Sequence, residues 1–184
     1  MNRPEALTLL ESKVQNVNLI KHCLAVEAAM IGLAEHFGED KETWGLAGLL
    51  HDVDYETTKD KPTEHSKIGA QIVKDAGYSD EIAAAILTHN ELHGIEPATR
   101  MAKALQCVDP LTGLVVASTL VMPSKKIVDL KTENVINRIP EKSFAKGANR
   151  ELIKKCENYL EISLEQFVEI VLNSMKKING PLGL

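Results

Sequence analysis

VNLIKHCLAVEAAMIGLAEHFG, residues 17–38, places Leu19, Cys23, Val26, Met30, Leu33 and Phe37 at intervals of 4, 3, 4, 3 and 4. That is the period of a helix buried along one face, with Gly38 as its stop. The same period recurs outward from this stretch. Residues 41–52 read as a second helix with Trp44, Ala47 and Gly48 on one side. Pro62 and Thr63 open a third, which uses Ile68, Ile72 and Ala76 and ends at Gly77. Ser79 caps a fourth, with Asp80 and Glu81 in its positive first turn. Pro97 fits the first turn of a fifth, which carries Ala98, Ala102 and Leu105. Ser163 and Gln166 form a capping box ahead of Leu164, Val168, Val171, Met175 and Ile178, and Gly180 and Pro181 stop that helix. Alternating apolar and polar residues are nearly absent. The expectation is an all-α protein, a compact bundle of about seven or more helices forming a single domain over residues 1–184.

Composition narrows the class. Of 184 residues, 44% are apolar and 26% charged, ordinary values for a chain with a packed core, which excludes the disordered, collagenous and coiled-coil classes. Seven aromatics leave little for a β-sandwich or for stacking on single-stranded nucleic acid. A net charge of −5 argues against general affinity for a nucleic acid backbone. No apolar run approaches the roughly 18–20 residues of a membrane span, and MNRPEALTLLESK has no signal-peptide core. Three cysteines in no zinc spacing point to reduced thiols. A cytoplasmic protein is expected, with neither a membrane nor a nucleic acid polymer as partner.

Polar residues intrude on the apolar faces. His51 follows Trp44 and Ala47 by seven and four, and Asp52 is next to it. His65 precedes Ile68 and Ile72 by three and seven, and His89 follows Ile82 and Ile86 at the same kind of spacing. Asp109 completes Ala98, Ala102 and Leu105, while His22 flanks the stripe of its own helix. Each has an ordinary explanation alone: a hydrogen-bonded core histidine, a helix end, or an N-cap at Asp109 before Pro110. Together they would need a separate buried partner each. One divalent cation satisfies them all, since imidazole and carboxylate are its natural ligands.

A lone His22, an adjacent His51-Asp52 within GLAGLLHDVDY and a distant Asp109, all on helices, resemble the signature of the HD superfamily of metal-dependent phosphohydrolases. The resemblance spans roughly residues 19–118. EHSKIGAQIV and THNEL are similar to the further histidine segments of HD-GYP-like and other two-metal members. The resemblance therefore implies His22, His51, Asp52, His65, His89 and Asp109 as metal ligands, with Asp52 bridging and His51 and Asp52 the catalytic pair. The lysine many relatives carry after the doublet is replaced here by Asp54 and Tyr55, and the GYP element is absent. Asp54 and Glu56 read as exposed loop carboxylates. His36 and His93 are set aside, and Cys23 and Cys107 are assigned to the core.

The implied reaction is hydrolysis of a phosphate ester of a small metabolite or nucleotide by metal-activated water, with one or two divalent ions of Fe, Mn, Mg, Co or Ni. The alternatives are a non-catalytic metal- or nucleotide-binding module and a di-iron oxygenase of HD type. Residues 125–155 hold nine basic and four acidic residues, a local +5 that leaves −10 for the rest. Residues 121–155 are a candidate flap ahead of C-terminal helices over 156–180, and Lys146 and Arg150 are expected to bind substrate phosphate.

Overall fold

The computed structural model describes residues 2–184, and every regular element among them is helical. Three helices, α1 (Arg3–Lys13), α2 (Val17–Phe37) and α3 (Lys41–Leu50), precede a single turn, α4 (Tyr55–Thr58). The middle of the chain forms α5 (Lys67–Asp75), α6 (Asp80–His89) and the long α7 (Arg100–Leu120). Short α8 (Thr132–Arg138), α9 (Arg150–Lys154) and α10 (Cys156–Leu160) follow, then α11 (Leu164–Lys177) and α12 (Asn179–Leu182).

The face read from residues 17–38 becomes the centre of the molecule. Cys23, Val26, Met30 and Leu33 are fully buried, and the helix stops at Gly38 as expected. α2 packs on α3, α7 and α11, with α6 bridging α5 and α7. By length and composition α2 also passes for a membrane span, contrary to the sequence expectation that no run comes close. Its packing makes it the core helix of the bundle. Glu27, buried on that helix, is held by Arg3 of α1 through two hydrogen bonds of 2.5 and 2.9 Å, the two-pronged pairing that suits a carboxylate out of water.

Three helix boundaries differ from the sequence reading. α5 begins at Lys67, not at Pro62–Thr63, because Ser66 adopts a left-handed conformation (φ 67°) and redirects the chain. Its buried face is therefore Gly69, Ala70 and Val73, and Ile68 is 38% exposed. α7 starts at Arg100, where the Thr99 side chain accepts from the Ala102 N–H, leaving Pro97 and Ala98 ahead of it. It then runs through Pro110, so Asp109 stands in mid-helix and caps nothing. α11 ends before Ile178, and Gly180 and Pro181 lie within α12. Ser79 and Ser163 cap α6 and α11 at the expected positions. Within residues 121–155, Ile127, Leu130 and Val135 are buried in the common core.

Candidate metal centre

The expected ligands are delivered by five different stretches, and the six side chains converge. His22 comes from α2, His51 and Asp52 from the end of α3, His65 from the turn before α5, His89 from the last turn of α6 and Asp109 from α7. Asp52 stands at their centre. Its Oδ2 lies 3.5 Å from His51 Nε2 and 3.7 Å from His22 Nε2, and its Oδ1 lies 3.3 Å from His65 Nε2 and 3.6 Å from His89 Nε2. Asp109 Oδ1 completes the first group at 3.0 Å from His22 Nε2 and 3.8 Å from His51 Nε2.

The opposite ring nitrogens are held in place. His51 Nδ1–H donates to the Gly48 carbonyl at 2.8 Å, and His89 Nδ1–H to the Ile86 carbonyl at 2.6 Å. Each bond runs back three residues, which places the histidine at a helix end with its ring folded onto its own last turn. His65 Nδ1–H donates to Asp54 Oδ1 at 2.9 Å. His22 Nδ1 faces the Thr112 hydroxyl, which itself donates to the Asp109 carbonyl. Carbonyl and carboxylate oxygens only accept, so these partners fix the tautomer and present Nε2 to the centre.

Electrostatics agree with the donor set. Burial works against charge on His51, but Asp52 and Asp109 outweigh it and hold the imidazole up to about 9. Burial likewise opposes charge on His65, and Asp52 and Asp54 raise it to about 9. Burial raises the Asp52 carboxyl, yet the surrounding histidines, His51 first, hold it well below the usual carboxylate range; Asp109 is lowered the same way by His22 and His51. The cluster thus demands positive charge where the Nε2 atoms meet. A divalent cation fits that demand and the imidazole–carboxylate donor set, and two overlapping groups, His22–His51–Asp109 and His51–Asp52–His89, are close enough to hold one.

Asp54 and Glu56 are not the exposed loop carboxylates expected. Asp54 is 1% exposed, and its Oδ2 accepts from the Ser66 and Gly69 N–H groups at 2.9 and 2.8 Å while Oδ1 orients His65. Gly69 permits this: a Cβ there would sit 3.2 Å from that carboxylate. Glu56 accepts from the Gln15 and Asn16 N–H groups and pins the entry to α2. His93 stays outside the centre. Its Nε2–H reaches the His65 carbonyl and Ser66 Oγ, at 2.8 and 2.9 Å, and so braces the turn carrying His65. No sequence signal singles out Asp54, because the N–H groups it accepts lie 12 and 15 residues further on. Cys23 and Cys107 are buried in the core, and burial, with Asp52 and Asp109 nearby, pushes the Cys23 thiol well up.

The expected phosphate-binding pair is divided. Lys146 lines an open cleft of about 290 Å³ together with His22, Asp109, Pro110 and Gly113. Arg150 is occupied otherwise, its guanidinium donating to the carbonyls of Phe144, Ala145 and Ala148. It holds the turn that carries Lys146, and offers that turn's carbonyls the donors expected for a substrate.

Residues 19–116 match the HD domain family. Over 164 residues, 88% of this chain, it is 30% identical to a ribonuclease Y of Geotalea uraniireducens, and over 142 residues, 73% of the chain, 34% identical to that of Desulforudis audaxviator. A ribonuclease Y of Oleidesulfovibrio alaskensis is 32% identical over 96 residues, 52% of the chain. The chain covers only 31%, 26% and 18% of these proteins, a fifth to a third of their length. With its signature residues gathered at one centre and more than half its length matched, the chain belongs to the HD domain family of metal-dependent phosphohydrolases.

Proposed function

We propose that this hydrolase cleaves a phosphate ester of a small metabolite or nucleotide at a centre that takes two divalent cations. The observation that carries the reading is the division of Asp52: one oxygen faces His22 and His51, the other faces His65 and His89. In this reading His22, His51 and Asp109 would hold one ion and His65 and His89 the other, with Asp52 able to serve both. A divalent ion bound there lowers the pKa of its water toward ~7 and supplies hydroxide at neutral pH. His51 and Asp52, the catalytic pair, act as ligands, with His51 kept in register by Gly48. Asp109, a third exposed at its side chain, faces the cleft through which substrate enters. Lys146 offers the substrate phosphate a positive charge at the cleft rim. Residues 145–148, held by Arg150, are the part of the basic stretch that lines the cleft beside the centre. Three free, buried thiols suit the cytoplasmic setting expected from the sequence.

A second reading, cleavage of RNA phosphodiesters, follows from the relatives' name. The acidic balance of this chain and the small cleft favour the compact substrate. The test is a screen of monoesters, diesters, nucleoside triphosphates and short oligoribonucleotides across Fe, Mn, Mg, Co and Ni. Release of phosphate from a small ester, lost in Asp52→Ala along with bound metal while helical circular dichroism is kept, is the expected result. Cleavage confined to the oligoribonucleotides establishes the second reading. Full metal occupancy with every ester intact makes the chain a binding module, and oxygen uptake by an iron-loaded form makes it an oxygenase.

A further inference from the structure

Gly113 lies in the interior of α7, where glycine weakens a helix relative to alanine. Glycines inside the core helices α2 and α3 have a packing reason. A Cβ on Gly48 would meet the Val26 carbonyl at 2.9 Å, and one on Gly32 would meet Ser174 Oγ at 2.0 Å. A Cβ on Gly113 would meet nothing within 4 Å. The open space before it is where two cavities join. His22 and Gly113 belong both to the metal-centre cleft and to a neighbouring pocket of about 450 Å³. That pocket is walled by Val116, Ala117, Leu120, Leu182 and Leu184, with Asn18 and Lys21 as its polar groups.

One wall is a single helix face. Asp109, Gly113, Val116, Ala117 and Leu120 recur at the spacing that lines residues up along α7. At ~1.5 Å per residue, the face runs from the metal centre to the middle of the pocket in about 12 Å. Leu120 is 51% exposed at its far end, an apolar side chain turned toward the pocket with little to cover it. Size and mostly apolar lining with a few polar groups are those of a small-molecule subsite. Among the described residues Lys21 makes no ion pair, although half-buried beside that wall.

We propose that this pocket seats an aliphatic or similarly apolar organic group of the substrate, so that the preferred substrate is a phosphate ester whose alcohol part extends over Gly113 from the metal centre. The proposal rests on the phosphohydrolase reading above and adds to it the chemistry of the group beyond the phosphate. A polar, compact alcohol part would leave the Val116–Leu120 face wet. An apolar one dries it, and each methylene that enters strengthens binding about fourfold, the equivalent of ~0.8 kcal/mol per buried CH₂.

The test uses the full chain with its metal and a series of alkylphosphonates, methyl, butyl and octyl, whose C–P bond resists hydrolysis. Calorimetric titration reads the ratio of octyl to methyl affinity within each protein. The wild type is expected to prefer octyl by at least tenfold. Gly113→Leu, which fills the junction, and Leu120→Asp, which places a charge in the pocket, are expected to bring the ratio to near one. Gly113→Leu, which replaces a helical glycine by a good helix former, should also melt about 2–3 °C higher than the wild type, so that its lost preference is not lost folding. Methylphosphonate binding with no gain along the series overturns the pocket and leaves the hydrolase reading standing. A ratio unchanged in both variants also overturns it. Failure of every phosphonate and of inorganic phosphate to bind overturns both readings.

Discussion

Asp54 shows how a single residue serves the centre without touching its convergence point. Its two oxygens accept three N–H groups, from His65, Ser66 and Gly69, so one carboxylate both orients an imidazole and caps the start of α5. Asn in its place keeps the shape but turns one acceptor into a donor, facing a donor. Asp54→Asn should therefore weaken metal binding about 10–100-fold, the usual cost of losing a partner behind a metal-binding histidine. It should also destabilise the fold by about 1–3 kcal/mol through an unsatisfied buried N–H. Metal titration beside a denaturant melt separates the two. Normal metal affinity with a lowered melt would leave Asp54 as a helix cap alone. His22, His51, His65, His89 and Asp109 were legible in the sequence because a polar side chain on an apolar helix face asks for a partner. Asp54 was not, because it lies in a turn, where no period says which way a side chain faces. For His65 the place was right and the route to it wrong. The spacing to Ile68 and Ile72 presumes a continuous helix, and Ser66 at φ 67° interrupts it.

Elements with a cap and a sustained period matched their sequence reading closely. α2 ran from Val17 to Phe37 and α6 from Asp80 under its Ser79 cap. Residues 141–148 did not yield, because their conformation is aperiodic and rests on bonds from one guanidinium to successive carbonyls. Arg150 gathers the carbonyls of Phe144, Ala145 and Ala148 and so holds Ala145 at φ 44°, a left-handed conformation that costs energy in a residue with a Cβ. Nothing local to residues 141–148 announces this. The two basic residues should consequently separate in kinetics. Lys146→Ala removes a charge from the cleft rim and should raise KM with a smaller change in kcat and no loss of thermal stability. Arg150→Ala releases the turn, so it should lower the melting temperature and raise KM together. A variant pair with the reverse pattern, Arg150→Ala stable and Lys146→Ala unfolding, would exchange their roles.

At the scale of the molecule, the centre ties α2, α3, α6 and α7 to the turn before α5. A cation held by all of them binds the folded chain and not the unfolded one. At a hundred times its Kd it adds about 2.7 kcal/mol, which for a domain of this size is a rise of roughly 5–11 °C in melting temperature. The dependence on pH should differ in sign with and without metal. In the metal-free protein His51 and His65 titrate near 9, above the ordinary value of about 6.5. Their contribution to stability is complete below about pH 6.5 and is lost as pH rises through 9. Asp52 and Asp109, held low by those histidines, stay ionised across the whole interval. A bound cation takes the place of the same protons, so in the loaded protein it is falling pH that weakens the centre. The gap in melting temperature between loaded and chelated protein should therefore widen steadily from pH 6.5 to 9.5, chiefly because the chelated form melts earlier. Differential scanning calorimetry of both forms across that range reads it directly. A gap that stays constant, or narrows with rising pH, would mean that protons and metal do not share the Nε2 atoms of His51 and His65.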